Sequence, residues 1–79
     1  MDKLIDIANR AVADYGFRQA VLYGAADIAS KWALSEEESV LLTGQVLAEL
    51  NVLPIPVQPD DIPAQQARVA EVIKGLFAS

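Results

Sequence analysis

Ser35-Glu36-Glu37-Glu38-Ser39 sets two hydroxyls and three carboxylates within five residues, the densest run of chemically active side chains in this sequence. A serine becomes a nucleophile beside a base that takes its proton, usually a histidine. The chain has no histidine and no cysteine, so Ser30, Ser35, Ser39 and Ser79 have no imidazole to activate them. Paired carboxylates do acid–base work where a cleft perturbs their pKa values. Glu36, Glu37 and Glu38 read instead as the solvated first turn of a helix. Ser35 then caps it, its hydroxyl on the third amide while Glu38 reaches back to the cap amide. Three carboxylates also suit the positive end of the helix dipole. Asp60-Asp61 is a second acidic cluster, but no Asp-x-Asp-x-Asp-Gly calcium loop contains it. Thiolate and imidazole metal sites are ruled out by composition. The expectation is a non-enzymatic chain with no metal and no cofactor.

The elements that position these groups are helical. One helix spans about residues 3–15, with Asp2 as its cap, Leu4, Ile5, Ala8, Ala11, Val12 and Tyr15 at helical spacing, and Gly16 as its left-handed terminator. A second, about 17–33, carries Phe17, Val21, Ala25, Ile28 and Trp32 on one face, with Leu22 and Ala29 beside them. Gly24 in its middle marks either a kink or a close helix contact. The third, about 36–51, buries Val40, Leu41, Val46, Leu47 and Leu50. Residues 52–59 hold Pro54, Pro56 and Pro59, which forbid a helix and alternate with Val52, Leu53, Ile55 and Val57. They read as an extended strap. The fourth helix, about 62–78, starts after Asp60-Asp61, one of which caps it, with Pro63 in its first turn. Its face is Ile62, Val69, Val72, Ile73, Leu76 and Phe77. The expected fold is a single all-α domain over residues 1–79, a compact four-helix bundle with a proline-rich crossing between its third and fourth helices.

Composition narrows the partners. Of 79 residues 53% are hydrophobic, and the net charge is −5. A chain this short has little interior, so its apolar surplus points to self-association as a dimer. Lys3, Arg10, Arg18, Lys31, Arg68 and Lys74 are dispersed, which disfavours nucleic acid and anionic membrane surfaces. No apolar run is long enough to span a membrane. Acidic residues near Met1 stand where a signal peptide would be basic, so a cytoplasmic location is expected.

Two resemblances accompany these readings. Phe17-Arg18, Ala25-Ala26 with Ala29, Leu34-Ser35-Glu36-Glu37 and Leu41-Leu42 resemble the helical leader domains of ribosomally made, modified peptides, a pattern shared with a small dioxygenase subunit. The resemblance covers residues 17–42 and implies a leader on which a modifying enzyme docks. Such an enzyme processes a following core, whereas Gly75-Leu76-Phe77-Ala78-Ser79 holds no Cys, Ser or Thr cluster. Size, acidity and Leu53-Pro54-Ile55-Pro56 before Asp60-Asp61 look like an acyl carrier protein. That family's Asp-Ser-Leu attachment motif is absent, and Glu38-Ser39-Val40 stands in its nearest place.

The leading expectation is a small acidic interaction module that recognises another, basic protein. Regulators, adaptors and inhibitors encoded by phages or mobile elements belong to this physical class. The alternative is a substrate-like role, as a leader domain or a carrier-like domain. The candidate partner-binding residues are Tyr23 and Trp32 as aromatic anchors, Glu36 and Glu37 as an acidic face, and Leu53, Ile55 and Val57 on the strap. Tyr23 departs from its helix's apolar stripe and is the aromatic expected to be exposed.

Overall fold

Leu4, Ile7, Ala8 and Ala11 follow the three- and four-residue spacing of one helix face, and all four are fully buried on α1 (Asp2–Ala13). The computed structural model describes the backbone of residues 2–54 and 57–78 and the side chains of residues 3–54 and 57–76. α1 is the central element, packing most extensively on α6 (Ile62–Ala78) and next on α2 (Tyr15–Tyr23). Val69 and Ile73 of α6 and Val21 of α2 complete the core around it. The Gln66 side-chain amide donates to the Asn9 carbonyl at 2.9 Å and fixes the α1–α6 register.

Among the described residues the chain is all-α, but with five helical rods where the sequence suggests four. The 17–33 segment is broken at Gly24 into α2 and α3 (Ala25–Lys31). Gly24 has φ −141° and ψ 42°; its N–H donates to Ala20 O and its carbonyl accepts from Ile28 N. One residue thus closes α2 and opens α3. A Cβ here would lie 3.2 Å from Ala20 O, so the break and a close backbone approach occur together.

Two helix ends differ from expectation. α1 stops at Ala13, and extended Asp14 caps α2, its carboxylate accepting from Phe17 N at 3.1 Å. Gly16 therefore lies inside the first turn of α2 and terminates nothing, and Tyr15 opens α2 instead of closing α1. Asp2 is the first residue of α1, and its side chain lies outside the described ones. The left-handed residue is Ala33, at φ 54°. Leu34 N donates to Ala29 O and Ala33 N to Ser30 O, the paired bonds of a Schellman cap around α3's end.

α4 (Glu36–Leu41), a π-helical turn (Leu42–Val46) and α5 (Leu47–Asn51) run on as one rod. A π turn advances less per residue than an α turn, which cancels the drift of a four-residue repeat. Leu42, Val46 and Leu50 consequently all face the core. Val40, expected inside, is 64% exposed, because the buried line runs through Leu42 instead.

The strap folds back on its own chain. Leu53 and Val57 are buried in the core, whereas Val52 is 71% exposed; Ile55 and Pro56 lie outside the described residues. Asp60 and Asp61 sit in a 3-10 turn (Pro59–Asp61) that has no side-chain cap and leads into α6. The Cα radius of gyration is 11.5 Å, against about 11.6 Å for a compact chain of this length.

Two outcomes are expected from thermal or urea melts. Ala33→Gly should stabilise by about 0.5–1 kcal/mol, the relief of a left-handed alanine less the added freedom of the unfolded chain. Leu53→Ala should cost about 2–4 kcal/mol while Val52→Ala costs little; equal effects at the two positions would contradict the self-packed strap.

Candidate functional site

Small side chains on α3 leave a groove between α3 and α4. Ala26, Ala29 and Ser30 form one wall, Leu34 the end, and Glu36, Ser39, Val40 and Thr43 the other wall. The open volume is about 390 Å³. Ala29 is buried at its floor, while Ala26 and Val40 are exposed at its edges. The Thr43 hydroxyl turns back along the helix and donates to Ser39 O at 3.0 Å and Val40 O at 3.3 Å.

The capping box read from the sequence starts α4, which carries one wall of the groove. Glu38 N donates to Ser35 Oγ at 3.1 Å, and Ser35 N donates to Glu38 Oε1 at 2.9 Å. Hydrogen bonding to the carboxylate, with the Ser35 N–H among its donors, lowers Glu38 to about 2 against an ordinary 4.5. On the far side, Lys3 Nζ donates to Ala33 O at 3.3 Å and ties the end of α3 to α1.

The expected partner-binding residues separate in space. Tyr23 is 87% exposed at the end of α2. It precedes Ala26 by three residues across the Gly24 break and does not line the groove. Trp32 is half-buried against the core, its ring 6.5 Å from Phe17 and tilted by 59°, with the Arg10 guanidinium 4.5 Å from the Phe17 ring centre. Glu36 lines the groove and Glu37 is exposed beside it. Leu53 and Val57 are withdrawn into the core, and Ile55 lies outside the described residues. Sequence reasoning missed Ala26, Val40 and the groove itself. The signal was the small-residue set Ala25-Ala26 and Ala29-Ser30, which leaves room beside any neighbouring helix.

Most of the surface that the groove exposes is apolar. Its hydroxyls (Ser30, Ser39, Thr43) have no basic nitrogen among the lining residues, where Glu36 is the titratable group. Among the described residues no three His, Cys, Asp or Glu side chains converge on a metal position, and no helix is long and apolar enough to cross a membrane.

Because the Glu38 pKa is lowered in the folded state, its contribution is present above about pH 4.5 and is lost as pH falls toward about 2. Melting temperature between pH 5 and 2.5 should fall less in Glu38→Gln than in the wild type. Ser35→Ala should cost about 1 kcal/mol at neutral pH, and an unchanged melting temperature would refute the cap.

Comparison of the chain with protein-family models, curated proteins and solved structures gave no match.

Proposed function

We propose that this chain is a small acidic, non-enzymatic interaction module of the cytoplasm that recognises another protein and self-associates. The observation that carries the reading is the α3–α4 groove, with Val40 64% exposed on its edge and Tyr23 87% exposed nearby in sequence. Small apolar floors receive side chains from a partner, and tyrosine is an anchor residue of interfaces. Glu36 and Glu37 at the groove, within a chain of net charge −5, favour a basic partner and steer its approach. A standard interface of about 800 Å² per partner would take less than a fifth of the 4541 Å² accessible surface. One face of the molecule is enough.

The test is a pair of surface substitutions, Tyr23→Ser and Val40→Glu, combined in one variant. Both side chains are exposed, so stability should change by less than about 0.5 kcal/mol. Light scattering across a dilution series should give a dimer for the wild type and a monomer for the variant. Quantitative mass spectrometry of proteins retained from native cells should show a basic protein held by the wild type and lost from the variant. Identical masses and identical retained proteins would overturn the reading.

A further inference from the structure

The groove's walls are two helical rods joined by residues 32–35, and α3 lies along both α4 and the π turn. A partner's segment can be gripped in only a few ways, each with its own requirement. An added strand needs a sheet edge, and among the described residues the chain has no strand. A proline-rich segment needs an aromatic-lined groove, and a phosphorylated or acidic one needs clustered arginines. Among the described residues that line this groove there is no aromatic and no cation. A helix needs none of these. It satisfies its own amides and asks only for an apolar trough.

Side-chain size and charge on the walls agree with a helix. Ala26 and Ser30 are exposed one turn apart on α3. On the facing rod Gly44 follows Val40 by four residues; it is exposed, and a Cβ there would meet no atom within 4 Å. Glycine is the weakest helix former after proline, yet this one sits in helical backbone where its own chain leaves room for a side chain. Its missing side chain leaves clearance on the outer side of the rod, where a third helix would cross. Residues 24–46 hold four carboxylates, Asp27, Glu36, Glu37 and Glu38, against the single cation Lys31. The complement of such a face is a basic segment.

We propose that the groove receives an amphipathic helix of a partner protein. Small apolar side chains of that helix lie against Ala26, Ser30 and Val40, with a Lys or Arg within a turn of Glu36 and Glu37. The inference rests on the groove being a partner site and names the element it takes.

The probe is a displayed library of peptides about four helical turns long, panned on the full chain. One half is helix-patterned, apolar at three- and four-residue steps, with lysine or glutamate at the flanking positions. The other half is proline-rich and extended. Winners should be helix-patterned and carry lysine, and should shift the amide resonances of Ala26, Ser30, Val40 and Thr43 in the nitrogen-15-labelled chain. Glu36→Gln with Glu37→Gln should weaken them roughly three- to thirtyfold and flatten their salt dependence. Gly44→Gln should remove most of the binding without lowering the melting temperature. Extended winners, helical winners carrying glutamate, or no winner from either half would overturn the inference. Extended winners that shift the same four amides would leave the partner reading of the groove standing, whereas winners whose shifts fall elsewhere would overturn both.

Discussion

The bond from Arg18 to the Pro54 carbonyl is the constraint on which the lower half of this fold depends. It joins α2 to a strap whose prolines leave few amide donors, and so places Leu53 and Val57 in the core on either side of it. Burying a guanidinium costs several kcal/mol. A charged hydrogen bond recovers roughly 1.5–3 kcal/mol, and the Tyr15 ring a further 0.5–2 or so. The strap contact therefore offsets much of the cost and leaves a donor, Nη1, still unpaired.

The groove has a different mechanical basis. α3 has seven residues, a length at which an isolated helix does not form in water, and α4 is the first six residues of the rod that runs to Asn51. Each is held at its ends. Gly24 and the Ala33 cap close α3, Lys3 ties Ala33 to α1, and Ser35 with Glu38 opens α4. Between α3 and the start of that longer rod, both fixed where they meet, the small side chains of Ala26, Ala29 and Ser30 are not offset by the helices moving together. The space they leave persists as a groove.

Local chemistry was the legible part of the sequence. The Ser35 capping box follows from side-chain types at fixed offsets, and the structure has it; of the expected apolar faces, Leu4, Ala8, Ala11 and Val12 of α1 and Val69 and Ile73 of α6 are buried. What periodicity could not show was phase. An unannounced π turn at Leu42–Val46 moved Leu42 inward and left Val40 outside, and that change created one wall of the groove. Residue type misled at two ends: Gly16 looked like a left-handed stop, yet Ala33 takes that conformation because the Lys3 contact and two backbone bonds over-determine it. In the sequence Arg18 is one of six dispersed cations. Nothing local marks an arginine for burial when its acceptor lies 36 residues away.

The apolar surplus bears on the strength of any partnership. Most of it is absorbed: Leu53 and Val57 join a core that the helices alone would leave open, and the chain reaches the compactness of a self-sufficient domain. Among the described residues the large apolar side chains left outside are few and separated, with Val40 and Tyr23 near α3, Val52 at the strap and Tyr15 at the start of α2. Obligate interfaces bury 2,000 Å² or more and resemble a core cut in half, which so scattered a set does not supply. A partner seated in the α3–α4 groove would rest on a small apolar contact steered by Glu36 and Glu37, so that charge governs its arrival and a few side chains its departure. Such a contact would exchange rather than lock, as in the recognition proposed above.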